Sequence, residues 1–152
     1  DDYEHPADEA DAAMLEAFDL FEVWRVYCDP QWIDHLVDRW AGRWGDRIVT
    51  WTTHRPKPMA YALRAYRAAQ TGGDLTHDGD PTFAAHIGHA RRRKAPGVYD
   101  EDRRPMWTVS KASPGSPLKI DAAVAGCISW EARGDAIAAG AVKRKRRPAV
   151  FI

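Results

Sequence analysis

Cysteine, net charge and long apolar runs are scarce in this sequence of 152 residues. Its two cysteines, Cys28 and Cys127, both lie in apolar segments, which predicts reduced thiols in a cytoplasmic protein rather than a disulfide scaffold. The 22 basic and 22 acidic side chains cancel, so net charge does not indicate a nucleic-acid partner. No apolar stretch has the length of a membrane span and no signal-peptide pattern occurs, so we expect no membrane partner.

A glycine-rich phosphate loop with Lys and Ser/Thr is also missing, which argues against an unrelated nucleotide-binding domain. Seven tryptophans, in contrast, provide large apolar surfaces for one core. Charge is unevenly distributed, with an acidic start "DDYEHPADEAD" and the basic blocks "HARRRK" and "KRKRR". We expect one domain over residues 1–142 and a basic tail over residues 143–152.

Hydrophobic periodicity predicts an α/β fold that is helix-rich and has a short parallel sheet. Residues 6–21, 30–44, 59–70, 80–93 and 116–140 are expected to form helices, with Trp32, Ile33 and Leu36 among the inward residues of the second. Strands are expected at about residues 22–28 and 47–52, and a weaker one at "MWTVSKAS". The strand–helix–strand order predicts parallel pairing with a right-handed crossover. Residues 95–106 are predicted to be a loop or hairpin.

Asp29 lies at the junction between the first strand and the following helix. One interpretation is an N-cap, because Asp accepts bonds from first-turn amides and Pro30 suits the next position. The other is a functional carboxylate, because ligand and catalytic groups gather at the carboxyl ends of parallel strands. Alternation along the strand places Cys28 on the opposite side, which argues against a metal role for that thiol.

Asp121 is the second candidate acid, in "SPLKIDAAVAGCISWEA". Ile120, Val124 and Cys127 form the apolar stripe of the last predicted helix, and Asp121 borders that stripe. The alternative is a partly exposed acid near a helix N-terminus, stabilised by the helix dipole.

These segments together resemble a known family. "VYCDPQW", "VTWTTHRPKPMAYALRAYRAA", "LTHDGDPTFAAHIGHA" and "SPLKIDAAVAGCISWEARGDAIAAG" resemble, in this order, the nuclease part of phage terminase large subunits, the DNA-packaging motors of tailed phages and prophages. The most specific pieces are "LTHDGDP" and "KIDAAVA". The resemblance implies an RNase H/RuvC-like fold and an endonuclease that cuts concatemeric double-stranded DNA.

The resemblance also implies a site, a cofactor and partners. Asp29 matches the acid at the end of a later strand and Asp121 the acid of the final helix. Such carboxylates would hold two Mg²⁺ or Mn²⁺ ions, which suit hard oxygen ligands and promote phosphodiester hydrolysis from positions about 4 Å apart. The implied partners are DNA, the terminase ATPase domain, the small terminase subunit and the portal, in the cytoplasm of the bacterial host.

One element of the family pattern is missing. The first strand with its own acid should precede the helix at residues 6–21, and only "DDYEH" does so. The chain is therefore expected to be the C-terminal portion of the nuclease, lacking its first strands, and its activity alone is in question. The alternative is a non-catalytic fragment that docks to DNA or to the portal.

Further polar residues carry two interpretations each. His77 and Asp78 could line the metal cleft or simply shape a turn. His77, His86 and His89 suggest zinc, but no fourth ligand accompanies them. Phosphate contacts are expected from Lys119 and from the basic run, for which a solvated helix end is the alternative; that run is Arg91, Arg92, Arg93 and Lys94. The "KRKRR" tail is expected to contact DNA or a packaging component.

Overall fold

A computed structural model describes residues 6–141 of the chain, and it has mixed α/β architecture. The predicted α/β class and short parallel sheet are confirmed, and the prediction of a basic tail falls outside the described residues. In chain order the elements are α1 (Ala7–Leu20), β1 (Val26–Cys28), α2 (Asp34–Trp44), a 3₁₀ turn (Gly45–Arg47), β2 (Ile48–Thr50), α3 (Pro56–Gly72), α4 (Pro81–His89), β3 (Arg91–Tyr99), β4 (Pro105–Ser110) and α5 (Asp121–Ala138). None of these helices is long and apolar enough to cross a membrane.

The first half of the chain is the predicted strand–helix–strand unit. Strands β1 and β2 pair in parallel, with Val26 opposite Ile48 and Cys28 opposite Thr50. Buried side chains of α2 at helical spacing, Leu36, Val37 and Trp40, pack against Cys28 and Ile48. The parallel pairing of the two predicted strands is thus confirmed.

Helix α1 covers this unit through an aromatic contact and a polar one. The Phe18 and Trp44 rings stack with centroids 4.4 Å apart. The Asp11 carboxylate accepts hydrogen bonds from the Trp40 indole, at 2.6 Å, and from Arg39. No residue of α1 is fully buried, so this helix is a partly exposed cover.

The second half combines an antiparallel hairpin with helices α3, α4 and α5. Strands β3 and β4 pair with Arg91 opposite Ser110 and Lys94 opposite Trp107, in a sheet separate from the parallel pair. Residues Met59, Ala62 and Tyr66 of α3 pack on Cys127 of α5. The loop-or-hairpin prediction for residues 95–106 is confirmed as a hairpin.

The C-terminal boundary predicted for the helix at residues 80–93 is wrong. Asp80 caps α4 as expected, since its carboxylate accepts the Phe83 amide at 2.7 Å, but the helix ends at His89. The basic run belongs to β3 because Ala95 and Val98 of that strand bury against Met106 of β4 and Ala60 of α3. Burial of these apolar positions favours the strand and outweighs the helical propensity of the arginines.

Further helix boundaries differ from the prediction, and the starts of α2 and α5 differ most. Helix α2 begins at Asp34, because residues 30–33 form a turn closed by a bond from the Ile33 amide to the Pro30 carbonyl at 3.0 Å. Trp32, expected to face inward, is therefore 81% exposed. Helix α5 begins at Asp121 rather than near Ser116.

Candidate active site at the strand ends

Asp29 directly follows β1, as the functional interpretation requires. Its Oδ1 accepts the backbone amide of Gln31 at 3.3 Å, which fastens the turn before α2. Because α2 starts only at Asp34, with Ile33 in the cap position, the N-cap interpretation of Asp29 is wrong. The side chain is half-buried at the carboxyl end of a parallel strand.

The other oxygen of Asp29 joins the two strand ends. Asp29 Oδ2 accepts the Thr53 amide at 3.3 Å and also a short hydrogen bond from the Thr53 hydroxyl. Thr53 lies just beyond β2, so one carboxylate bridges the carboxyl ends of both strands. The sequence interpretation missed Thr53, although parallel pairing places whatever follows β2 beside whatever follows β1.

A cleft of about 390 Å³ opens beside this bridge, and we call it the strand-end cleft. It lies between the segment after β2, helix α3, the β3–β4 hairpin and the start of α5. Its lining includes Thr53, His54, Arg93, Lys94, Ile120 and Val124. The Asp29 carboxylate adjoins this cleft through Thr53.

Asp121 is next in sequence to a residue that lines the same cleft. It is the first residue of α5 and follows Ile120, which lines the cleft. The side chain is exposed rather than bordering buried surface, in a first-turn position that the helix dipole favours. Neither predicted acid lines the cleft itself: Asp29 is hydrogen-bonded to the lining residue Thr53, and Asp121 follows the lining residue Ile120 in sequence.

Histidines of α4 support the N-terminus of α5. The Ala122 amide donates to His86 Nδ1 at 3.1 Å, which provides a cap that Ile120 lacks. His89 Nδ1 lies 3.0 Å from the Lys119 carbonyl oxygen. These two side chains therefore hold the segment that presents Asp121, a role that the sequence interpretation missed.

The zinc and cleft-lining interpretations of the remaining polar residues are not supported. His77 Nδ1 accepts the Gly79 amide at 3.0 Å, and Asp78 Oδ1 accepts the Asp80 amide at 3.0 Å, so both shape the turn before α4. Neither lines the strand-end cleft. Within residues 6–141, no three side chains of the His, Cys, Asp or Glu type are grouped to hold a metal ion.

The four basic residues of β3 point to different surroundings. Arg93 and Lys94 line the strand-end cleft. Arg91 donates to the Gly88 carbonyl of α4 at 2.7 Å, and Arg92 lies over the Trp107 ring at 3.6 Å. Two of the four predicted phosphate contacts therefore line the cleft. All four residues belong to β3 rather than to a helix end, although the Arg91 side chain still bonds the last turn of α4.

A larger cleft of about 790 Å³ lies between α3, α4 and the hairpin. Arg64, Arg67, Arg92 and Arg104 line it, over an apolar floor that includes Leu63 and Met106. The larger volume of this cleft does not by itself make it the candidate site. The smaller cleft is the one whose lining includes the residue bonded to Asp29 and the residue that precedes Asp121.

Three weakly acidic groups have raised pKa values and are protonated at neutral pH. Burial raises the pKa of Cys28 to about 11 and, helped by the Glu131 charge, that of Cys127 to about 12. Burial and the Asp135 carboxylate, 2.5 Å from the Tyr27 hydroxyl, raise the Tyr27 pKa to about 12. The Tyr27–Asp135 bond ties β1 to α5.

We predict that both thiols resist a thiol-specific reagent such as dithiobisnitrobenzoate while the chain is folded. Cys127 is 0% exposed and Cys28 7%, and neither carries appreciable thiolate at neutral pH, so labelling should be complete only in guanidinium chloride. Fast labelling of the folded chain would contradict this.

The same groups predict a loss of stability in alkali. A raised pKa favours the protonated form in the folded state, so this contribution is fully present below the unfolded thiol value of 9.0. It is lost as the pH rises through about 11 for Cys28 and about 12 for Cys127 and Tyr27. Urea unfolding between pH 7 and 11 measures the decline, which a Cys28→Ala, Cys127→Ala variant should reduce.

Fold and cleft together define an α/β protein with a partly basic cleft next to the Asp29–Thr53 contact, and comparison with known proteins points to phages. The chain is 28% identical over 143 residues to the Gene 13 protein of Mycobacterium phage D29, covering 87% of this chain and 23% of that protein. The Gene 13 protein of Mycobacterium phage L5 is 27% identical, with the same coverage. The predicted relationship to phage proteins is confirmed.

The chain spans about a quarter of the length of these curated relatives. No protein-family model matches the chain. No solved structure matches it either.

Proposed function

We propose that this chain is part of the metal-dependent endonuclease of a phage terminase large subunit, with an RNase H-like arrangement of its acids. One observation carries the proposal. Arg93 and Lys94 line one cleft together with Thr53, which is hydrogen-bonded to Asp29, and with Ile120, which precedes Asp121. Carboxylates next to cations match a phosphodiester substrate, whose charge needs neutralisation and whose cleavage needs oxygen ligands for metal.

The donor set fits Mg²⁺ or Mn²⁺ in kind but is short in number. Asp29 and Asp121 provide the hard oxygen ligands that these ions prefer. Within the described residues no three side chains of the His, Cys, Asp or Glu type are grouped, so the remaining ligands would come from another part of a longer protein. When bound, the ions would activate water and stabilise the leaving oxygen.

The chain's own residues orient the acids and the substrate. Thr53 holds Asp29 Oδ2 with an amide and a hydroxyl, which fixes the orientation of the carboxylate. His86 caps the turn that carries Asp121. Arg93 and Lys94, fixed on a paired strand, would hold DNA phosphates without reading sequence.

The proposed substrate is concatemeric double-stranded DNA in the cytoplasm of the bacterial host. Because the chain covers 23% of each curated relative, the rest of such a protein has room for an ATPase domain. The small terminase subunit and the portal are the further proposed partners.

A non-catalytic docking fragment is the second candidate. It is favoured by the two-acid site, which lacks a third ligand among residues 6–141, and by the exposed basic strand. Such a fragment would bind DNA or the portal without cutting.

DNA binding through the cleft is tested by salt dependence. The Arg93→Ala, Lys94→Ala variant should weaken binding to a labelled duplex and reduce the slope of log affinity against log salt by about 2, since each phosphate contact contributes roughly 0.9. Arg43→Ala, an exposed cation that lines neither cleft, is the matched control and should leave the slope unchanged. Equal slopes for all three proteins would contradict the cleft as a DNA site.

A further inference from the structure

Trp32 combines high exposure with an unfavourable backbone conformation. Its side chain is 81% exposed, the most exposed of the large hydrophobic residues described. Its φ is +71°, a region that bulky residues rarely adopt. Burial therefore does not explain why a tryptophan occupies this position, and its positive φ makes the residue unfavourable for the stability of the turn.

The turn around Trp32 explains the strain. The Ile33 amide bonds to the Pro30 carbonyl at 3.0 Å, which makes Trp32 the third residue of a β-turn. A positive φ at this position is typical of Gly or Asn. Asp29 Oδ1, which accepts the Gln31 amide, fastens the same turn. A large aromatic side chain thus occupies a glycine position in the turn held by the candidate metal ligand.

We propose that Trp32 is a stacking platform for an unstacked nucleobase of the DNA strand held in the strand-end cleft. This inference rests on the proposed function and names the base contact of that same site. The Asp29 carboxylate connects the Trp32 turn on one oxygen to Thr53 of the cleft on the other. Arg93 and Lys94, which line the cleft, complement the phosphates of the same strand.

A nucleobase suits Trp32 better than a phosphate does. The indole offers a large flat face, and stacking on aromatic side chains accepts every base. Within an intact duplex the base faces are covered by their neighbours, so the contact requires a single-stranded or locally opened segment. Backbone strain held at such a position is a common feature of binding sites.

The test compares Trp32 variants by fluorescence anisotropy, with a short labelled oligothymidylate and a duplex of equal length, over a range of salt concentrations. Trp32→Ala should weaken binding to the oligothymidylate about 5- to 100-fold without changing the salt slope, because stacking releases no counterions. Trp32→Tyr should retain most of the affinity. The affinity for the duplex should fall less than the affinity for the single strand.

A second readout separates binding from folding. Trp32→Gly should raise the Tm, because Gly relieves the positive φ, while weakening oligothymidylate binding as Trp32→Ala does. Phe21→Ala, which removes another exposed aromatic side chain, is the matched control and should leave affinity unchanged.

Several outcomes would overturn the inference. Wild-type affinity in Trp32→Ala, with a reduced salt slope in Arg93→Ala, Lys94→Ala, would leave DNA binding by the cleft intact and remove Trp32 from it. A change in oligomeric state alone would assign Trp32 to a protein interface instead. Absence of any DNA binding by the parent chain would reject both this inference and the proposed function.

Discussion

Asp121→Asn should abolish plasmid nicking by a longer chain that contains this segment and has the length of its phage relatives. Cleavage is expected to fall on the order of 100-fold or more, since loss of residues that merely orient a ligand already costs about 10- to 100-fold. The segment described here should bind Mn²⁺ weakly and nick slowly or not at all, because affinity for hard cations falls with the number of charged ligands. Supercoiled plasmid incubated in Mn²⁺ or Mg²⁺ gives the measurement.

Thr53 provides the finer test of the same site. Thr53→Val removes the hydroxyl that donates to Asp29 while keeping the shape of the side chain, and should slow nicking about 10- to 100-fold with an increased Mn²⁺ requirement. Thr53→Ser keeps the hydroxyl and should retain activity. This contrast is specific to orientation of the carboxylate.

A control substitution at another acid distinguishes loss of the metal site from a general change in protein charge. Asp38→Asn changes an exposed carboxylate of α2 and should leave nicking unchanged. If the longer chain is inert, or if Asp121→Asn nicks as well as the parent, the nuclease proposal is wrong and the docking fragment takes its place.

The parallel unit was predictable from sequence because its information is local. Leu36, Val37 and Trp40 recur at helical spacing between two short apolar strands, and the crossover rule then determines their pairing. The bond from Thr53 to Asp29 depends on that pairing and on which way one hydroxyl rotates. It therefore required coordinates.

The hairpin was harder to predict because its basic strand contains favourable helix formers. Only two residues of β3, Ala95 and Val98, are buried, and their partner Met106 lies across the turn. The prediction that Trp32 faces inward was wrong because of a local turn. Pro30 is typical of a first helical turn, but the bond from Ile33 to its carbonyl makes a separate turn before α2.

The contact between α3 and α5 beneath the site gives a large expected effect on stability. A Cβ at Gly126 would lie 2.6 Å from the Tyr66 hydroxyl oxygen and 3.2 Å from Cζ. Tyr66 is 3% exposed, so its ring has little room to move. Gly126→Ala should therefore reduce the free energy of unfolding by about 1–3 kcal/mol, although Ala is the better helix former by nearly 1 kcal/mol.

Gly134, on the same helix, is the matched control because nothing lies within 4 Å of its added Cβ. Gly134→Ala should stabilise by about 0.5–1 kcal/mol. Opposite signs for the two glycines, measured by urea unfolding, would show that the Tyr66 contact and not helix propensity decides the result. Stabilisation by both substitutions would contradict the close approach.

Tyr66→Phe completes a double-mutant cycle with Gly126→Ala. The Tyr66 hydroxyl is buried without a hydrogen-bond partner among the described residues, so its removal should be neutral or stabilising by up to about 1 kcal/mol. It also removes the atom nearest to the new Cβ, so Gly126→Ala should cost about 1 kcal/mol less when combined with Tyr66→Phe than alone. The rescue should be partial, because Cζ remains at 3.2 Å and Phe83 Cε2 at 3.4 Å. Since α5 also presents Asp121, the variant that shifts this helix should lose nicking in the longer chain, and Tyr66→Phe should restore part of both stability and nicking.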